Sequence, residues 1–495
     1  MGEPRNGSCL AIGGKESGHM SQHSRLNIFT DAVRSGEKQR PGFLGLRPIR
    51  NKALRDARTA SGPTGMPVLT FPSLAHGPLG ITRSLGRLGV PVYNADFDAL
   101  APSFFSAYSQ GKFRLRCSYD DPLKLAEALL ACAQAIGQRC ILIPTTDDAT
   151  LFVAEQAGSL RECFIFPDRS PELVGSLCSK KSMYFLARKH QVPTPATSFP
   201  QCRRDVIEFM ERATLPIMLK AIDGSRLSQR TGRKMFIVRT RSELLETYDR
   251  AEDPTAPNLM IQEYIPGGDD VVWMLNGYFD HDSECLLCFT GKKIRQCPIH
   301  TGCTSLGICL KNEAVEQLTR RFMREIGYRG ILDIGYRFDA RDGLYKVLDI
   351  NPRIGSTFRL FVGERGMDVA RAMYYDLTGG SVQIDYAREG RKWIAEDIDF
   401  ASSICYLRER SITLKQWWTS SVGIEECAYL AADDLVPILA MFLSRAAELC
   451  RRIYGRFRRA LVARLGGHRP AARHAHAGAW WLYRTNSSKR PRGTK

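Results

Sequence analysis

No stretch of this 495-residue sequence contains the ~18–20 consecutive apolar residues that a helix needs to span a bilayer. The N-terminal residues also lack the apolar segment of a secretory signal, so we expect no secretion. The 15 cysteines are odd in number and scattered, which does not indicate a disulfide framework. These absences predict a globular protein of the reducing cytoplasm, and the 44% hydrophobic and 25% charged content agrees.

Acidic residues are absent from one end of the chain and scarce at the other. Residues 451–495 carry 13 lysines and arginines and no acid, and residues 1–65 carry 11 against 5 acids. Residues 66–450 therefore have a net charge of −1, although the whole chain has +18. We expect no nucleic-acid partner for this central part, and nucleic-acid binding through the basic ends is a separate hypothesis.

A short alternating strand ends in the sequence Asp349-Ile-Asn-Pro-Arg353. Asp349 and Asn351 are two residues apart, so both side chains leave the same face of the strand. Pro352 cannot donate to a ladder and ends the strand, and Arg353 follows at once. A carboxylate beside an amide oxygen suits Mg²⁺ or Mn²⁺, although the same residues would also make a solvated strand and turn.

A second alternating run, residues 330–338, precedes a turn sequence at residues 339–343. The two runs are predicted to pair as an antiparallel hairpin, with Asp333 in the neighbourhood of Asp349. Two carboxylates and an amide on one face need a cation, because buried like charges repel each other. Asp333, Asp349 and Asn351 are therefore the predicted metal ligands.

This hairpin resembles the active-site signature of the ATP-grasp superfamily, in the branch of biotin carboxylase, carbamoyl-phosphate synthetase and carboxylate–amine ligases. Asp349, Asn351 and Arg353 match the acid-x-Asn-Pro-Arg strand of that signature. The usual acidic or amide ligand of the preceding strand falls on Gly335, and Asp333, on the same strand face, stands in for it. This difference leaves the number of metal ions open.

The resemblance covers residues 66–380 and implies a fold of mixed α/β and α+β class. A β-loop-α-β pattern beginning at residue 66 predicts a small parallel pre-ATP-grasp domain. The predicted domains are a disordered basic leader (1–65), the pre-ATP-grasp domain (66–175), the small and large ATP-grasp subdomains (176–260 and 261–385) and a C-terminal extension (386–495). In the first domain, His76 is either a substrate contact or structural, and residues 145–148 either bind ligand or cap a helix.

Two lysines are predicted to hold the phosphates of ATP. Lys220 closes a buried strand, where an ammonium group needs a partner such as phosphate. By register Lys180, otherwise an ordinary surface lysine, takes the place of the family's first nucleotide-binding lysine. The resemblance also implies a flexible loop over the triphosphate at residues 223–234, with Gly224 and Ser225 among its nucleotide contacts. A plain hairpin loop is the alternative.

The remaining nucleotide contacts are implied by a segment that matches the family's hinge between subdomains. Its backbone would hydrogen-bond the adenine edge at Gln262, Glu263 and Ile265, and an acid just downstream, Asp269 or Asp270, would hold the ribose.

Two basic residues, Lys293 and Arg295, resemble a Lys-x-Arg segment that leads to the active centre of the family. Their spacing predicts a shared strand face. Lys293 would then contact phosphate and Arg295 a substrate carboxylate, whereas a solvated sheet edge is the alternative. Arg353 would contact the transferred phosphoryl group or the carboxylate.

The resemblance implies an ATP-dependent ligase that activates a small carboxylate as an acyl phosphate and joins it to an amine, with release of ADP. A small-molecule kinase and a nucleotide-binding protein without catalysis, motivated by Gly335, are the alternatives. Residues 435–465 predict a basic amphipathic helix, which would either lie on an anionic membrane surface or pack on the body. The sequence indicates no oligomeric state.

Overall fold

The computed structural model describes residues 65–72, 76–222, 224–233 and 235–464. The predicted basic leader, apart from its last residue, and residues 465–495 at the end of the C-terminal extension lie outside the described residues. Within the described part of the chain, no helix combines the length and the apolarity of a membrane span.

A five-stranded parallel sheet, in the order β3-β2-β1-β4-β5, opens the structure. Its strands are β1 Val68–Phe71, β2 Val92–Asp96, β3 Ser109–Arg114, β4 Cys140–Pro144 and β5 Phe164–Ile165, and its helices are α1 Gly77–Gly86, α2 Pro122–Ile136, α3 Asp147–Glu155 and α4 Ala157–Leu160, with a 3₁₀ turn at Pro102–Phe105. The central strands β1 and β4 are buried along their whole length, as expected for parallel strands covered by helices. The predicted parallel α/β domain is confirmed.

A four-stranded antiparallel sheet, in the order β6-β9-β7-β8, follows two connecting helices. The connecting helices are α5 Pro171–Cys178 and α6 Lys180–Lys189, the strands are β6 Thr197–Ser198, β7 Ile217–Ala221, β8 Met235–Val238 and β9 Leu259–Glu263, and the helices of this part are α7 Arg203–Arg212, α8 Gly224–Thr231 and α9 Arg241–Ala251.

The predicted flexible loop at residues 223–234 is wrong in one respect, because residues 224–231 form the helix α8. Gly224 begins this helix, and Gly232 lies just beyond its end with a φ of +71°. The buried side chain of Leu227 anchors the helix on the sheet, and the Arg226 side chain donates to the carbonyl of Ala256 at 2.8 Å. The two glycines therefore lie at the start and just beyond the end of a helix.

A seven-stranded sheet, in the order β14-β13-β10-β11-β12-β15-β16, forms the rest of the structure. Its strands are β10 Val272–Phe279, β11 Cys285–Cys297, β12 Cys303–Cys309, β13 Gly330–Asp339, β14 Leu344–Asn351, β15 Lys392–Ile394 and β16 Ile424–Cys427, its helices are α10 Glu313–Glu325, α11 Val369–Leu377, α12 Glu396–Arg408, α13 Leu414–Ser421 and α14 Val436–Arg464, and 3₁₀ turns lie at Asp269–Val271 and Phe358–Leu360. Because β15 and β16 extend this sheet, it continues beyond the boundary predicted at residue 385.

The C-terminal part of the chain is held on the parallel domain by buried charged contacts. Arg83 of α1 donates to the Asp434 carboxylate at 2.9 Å and to the carbonyls of Ala428 and Tyr429. Both charged side chains are buried, so removing one would leave its partner uncompensated. One apolar cluster also joins the parallel domain, the seven-stranded sheet and the helix α14, through residues such as Val68, Met274 and Met441.

His76 lies at the start of α1 inside this shared core. Its ring packs against Trp393 and Tyr429, with ring centroids 5.1 and 5.7 Å away. Neither ring nitrogen makes a hydrogen bond among the described residues, and burial lowers the pKa of His76 to about 4 from 6.5. These contacts give His76 a structural position at the seam between the parallel domain and the C-terminal strands.

The buried neutral ring of His76 predicts a loss of stability in mild acid. The unfolded chain binds this proton near pH 6.5 and the folded chain only near pH 4, so stability is complete above pH 6.5 and falls as the pH drops towards 4. At pH 5 the loss in unfolding free energy is on the order of 2 kcal/mol. Urea unfolding at pH 7 and pH 5 measures it. The variant His76→Gln should lose less between these pH values, and an equal loss in both proteins would contradict the assignment.

Candidate active site

Three polar side chains stand in a row across neighbouring strands of the seven-stranded sheet. Asn276 of β10 pairs with Asp333 of β13, and Asp333 pairs with Asn351 of β14. Directly opposite residues project to the same face, so the side chains meet. The amides of Asn276 and Asn351 donate to the two Asp333 carboxylate oxygens at 2.8 and 3.3 Å. Asn276 was not predicted, because the pairing of β10 with β13 joins residues 57 apart in the chain.

The predicted hairpin of β13 and β14 is confirmed, and its register is now defined. Asp333 lies opposite Asn351, and Gly335 lies opposite Asp349. Asp349 shares the face of Asn351 and is exposed. A Cβ atom at Gly335 would meet nothing closer than the Asp349 carbonyl oxygen at 4.0 Å. The position at which the family signature has a metal ligand is therefore open space beside Asp349.

The electrostatics of this face favour a cation. Burial raises the pKa of Asp333, the negative charge of Asp349 raises it further, and Arg353 and Lys293 oppose the shift. The side-chain oxygen of Asn276 is buried and has no hydrogen-bond partner among the described residues. No group of three His, Cys, Asp or Glu side chains suited to a metal occurs in the described ranges, so amide oxygens would have to complete the shell. Two carboxylates with amide oxygens fit Mg²⁺.

The two predicted phosphate-binding lysines share a site with this acidic face. Burial lowers the pKa of Lys220 to about 8, the charge of Lys180 lowers it further, and the Asp349 carboxylate acts in the opposite direction. Lys220 Nζ donates to Gln262 Oε1 at 2.7 Å. Lys180 is the first residue of α6, which Ser179 caps, and its ammonium has no partner within the described residues. The charges of Lys180 and Asp349 are thus both close enough to Lys220 to affect its pKa.

The predicted hinge lies at the end of β9, next to Lys220. The Gln262 side chain is buried and donates to Thr197 Oγ1 at 3.0 Å. The Glu263 carboxylate binds Arg341 at 2.5 Å, and the Ile265 carbonyl accepts a hydrogen bond from Arg337 Nε at 2.8 Å. These contacts hold the hinge in place, and the adenine contact stays a prediction.

The two acids considered for the ribose differ in their surroundings. Asp269 is already bound by Gln296, His300 and Tyr406. Asp270 is exposed and has no hydrogen bond among the described residues, so it is the acid free to bind a ligand. Gly224 lies at the start of α8, and nothing is described of the Ser225 side chain.

Arg353 connects the hairpin to the parallel domain. Its Nε donates to Asp147 Oδ1 at 2.8 Å, and its second terminal nitrogen donates to Asn351 Oδ1 at 3.1 Å. Asp147 belongs to the first turn of α3, at the carboxyl end of β4, and Thr146 caps that helix. Residues 145–148 therefore fill the predicted capping role, and their role in ligand binding stays a prediction.

The two residues of the Lys-x-Arg segment diverge. Burial lowers the pKa of Lys293, and the charges of Asp333 and Asp349 are among those that oppose this shift. The Lys293 ammonium donates to the Gly302 carbonyl at 2.9 Å. The β-bulge between Lys293 and Arg295 breaks the predicted shared face. Arg295 is fully buried and binds the Asp399 carboxylate through two hydrogen bonds of 2.9 and 2.7 Å. The expectation that Arg295 contacts a substrate carboxylate is corrected to a structural ion pair with α12.

The raised pKa of Asp333 predicts that its charge destabilises the protein when no cation is bound. Asp333→Asn removes the charge and keeps an oxygen for the Asn276 amide, so we expect a melting temperature higher by on the order of 2 °C in metal-free buffer. Differential scanning calorimetry measures the shift. Asp282→Asn, an exposed change in the turn before β11, is the control and should leave the melting temperature unchanged. A lower melting temperature for Asp333→Asn would contradict the electrostatic account.

No protein-family model matches the chain. A D-aspartate ligase of Enterococcus faecium (strain Aus0004) is 25% identical over 319 residues, which are 57% of this chain and 75% of that protein. The N5-carboxyaminoimidazole synthetase of Staphylococcus aureus, solved with ADP, has a TM-score of 0.51 at 12% identity and covers 67% of this chain and 82% of its own.

A second solved structure is similar to the same extent. The carboxyaminoimidazole ribonucleotide synthase of Aspergillus clavatus, solved with ATP, has a TM-score of 0.51 at 14% identity and covers 69% of this chain and 86% of its own. Both solved structures are less than 25% identical to the chain, so the similarity is one of fold. The chain therefore shares the fold of these two nucleotide-bound synthetases.

Proposed function

We propose that this protein is an ATP-dependent, ADP-forming ligase that joins a small carboxylate to an amine. The observation that carries the proposal is the convergence of Lys180 and Lys220 on the acidic hairpin face at Asp349. A triphosphate needs cations on its phosphates and a metal at its outer end, and this site supplies ligands for both. The similarity to a D-aspartate ligase makes aspartate the first carboxylate to test.

The reaction divides into two steps. A carboxylate oxygen of the substrate attacks the γ-phosphorus of ATP, the bond from that phosphorus to the β,γ-bridging oxygen breaks, and ADP leaves. The nitrogen of an amine then attacks the acyl carbon, phosphate leaves and the amine loses a proton. Phosphorylation is required because the carboxylate oxygen itself would have to leave as oxide.

The residues of this chain act by positioning and by charge. Lys180 and Lys220 would hold the phosphates, and Lys293 would neutralise charge from the other side of the face. Asp333, Asp349 and Asn351 would hold Mg²⁺, which neutralises the phosphate oxygens when it is bound.

Arg353 is already fixed by Asp147 and Asn351, so its guanidinium reaches the site without reorganisation. In this position it would contact the transferred group or the substrate carboxylate.

Hydroxylamine trapping tests the first step. With ATP, Mg²⁺ and a panel of carboxylates that begins with D-aspartate, the protein should form a hydroxamate and release ADP, because hydroxylamine captures an acyl phosphate. Release of ADP with a stable phosphorylated product and no hydroxamate would instead show a kinase. Tight ATP binding without ADP release for any acid would show a protein without catalysis.

Asp349→Ala should lower the rate of hydroxamate formation by at least ~10²-fold with the fold intact, because it removes a predicted metal ligand. Circular dichroism and the melting temperature report on the fold. The exposed Asp282→Ala variant is the matched control and should keep the full rate. Unchanged turnover in Asp349→Ala would remove the metal assignment.

The ATP affinity should fall in mildly alkaline solution. The pKa of Lys220 in the free protein is about 8, so the fraction of charged ammonium falls from about 0.9 at pH 7 to about 0.1 at pH 9. The KM for ATP should therefore rise about tenfold over this range, with kcat at saturating ATP nearly constant because bound phosphate restores the charge. A KM profile that is flat in the wild type, or that is the same in Lys220→Met, would exclude this role.

A further inference from the structure

The long helix α14 turns its apolar side away from the protein. Six large apolar side chains, here called the outward stripe, are exposed: Leu439, Phe442, Leu443, Leu449, Ile453 and Tyr454. Leu439, Phe442 and Leu443 are each 61% exposed. Their spacings of three, four, seven and eleven residues place them along one side of the helix. A helix on a globular protein normally buries such a stripe.

The opposite side of α14 is fixed on the body, so the helix cannot roll to bury the outward stripe. Ala440 and Met441 are buried, and Met441 joins the shared apolar cluster. Arg445 donates to the Asp397 carboxylate at 2.8 Å, and Ser444 donates to Asp98 at 3.3 Å. Since Asp397 is almost fully buried, this ion pair resists rotation of the helix.

The sequence that follows the outward stripe is rich in positive charge. Residues 451–495 contain 13 lysines and arginines and no acidic residue, and the helix continues to Arg464 within this segment. Two copies of the chain that met through their stripes would bring two such segments together, which electrostatic repulsion opposes. A nucleic acid would match the charge but would leave the apolar stripe exposed. An anionic lipid surface matches both features.

We propose that α14 is an interfacial helix that docks this protein on an anionic membrane surface. The outward stripe enters the boundary between headgroups and acyl chains, and the basic residues bind lipid phosphates. The outward stripe runs from Leu439 to Tyr454, which corresponds to about 24 Å of helix. The ATP-grasp body stays in water on the other side of the helix, so docking does not depend on the proposed ligase activity.

Vesicle co-sedimentation of the full chain tests the proposal, with phosphatidylcholine vesicles that contain or lack ~30% phosphatidylglycerol. The wild type should bind the anionic vesicles and bind the neutral ones at least ~10-fold more weakly. The triple variant Leu439→Gln, Phe442→Gln, Leu443→Gln should lose at least ~10-fold in binding to anionic vesicles.

A matched variant separates the stripe from exposed apolar residues in general. Leu123→Gln, Ile384→Gln, Phe400→Gln changes three residues of 72–73% exposure elsewhere and should bind anionic vesicles like the wild type. Melting temperature and ADP release confirm that each variant is folded.

Three outcomes would overturn the proposal. The first is a wild type that binds neither kind of vesicle. The second is undiminished binding by the stripe variant, which would assign binding to the charged tail alone. The third is a concentration-dependent dimer, without vesicle binding, that the stripe variant abolishes; analytical ultracentrifugation would detect it and would make a second copy the occupant.

Discussion

The candidate site is built around one electrostatic conflict, the repulsion between two carboxylates that paired strands hold close together. Asp333 is held between two amides, and Asp349 lies close enough to disfavour the charge of Asp333. Lys293 and Arg353 reduce this repulsion without removing it, so the pKa of Asp333 stays raised. A protein that keeps such a pair loses stability, and the cost is understandable where a divalent cation completes the site.

Each of the three sheets supplies a part of this site. The seven-stranded sheet carries the acidic hairpin, the four-stranded sheet contributes Lys220 from the end of β7, and the parallel sheet contributes Asp147 from the end of β4. The ion pair of Asp147 with Arg353 joins the first sheet to the hairpin. Because these parts are far apart in sequence, the site exists only when the whole body is assembled, and buried contacts such as Arg83 with Asp434 secure that assembly.

Local patterns in the sequence predicted the local parts of this structure. The alternation around Asp349 and the turn before it identified the hairpin, and a lysine at the end of an apolar strand identified Lys220, because both signals lie within a few residues. Asn276 could not be found in this way, because its partner Asp333 lies on β13, which becomes a neighbour of β10 only in the folded sheet. The role predicted for Arg295 was wrong because two features set the direction of its side chain. One is the β-bulge before it, and the other is the ion pair with Asp399, which lies 104 residues later in the chain. The strands β15 and β16 were missed because they are only three and four residues long.

The location of the metal is the central claim and is open to direct measurement. Crystals grown with Mn²⁺ and a non-hydrolysable ATP analogue would show the ion in an anomalous difference map. We expect a peak at ligand distance, about 2.1 Å, from oxygens of Asp349 and Asn351 or Asp333, with the triphosphate beside Lys220. An ion bound elsewhere, or a nucleotide remote from Lys220, would contradict it.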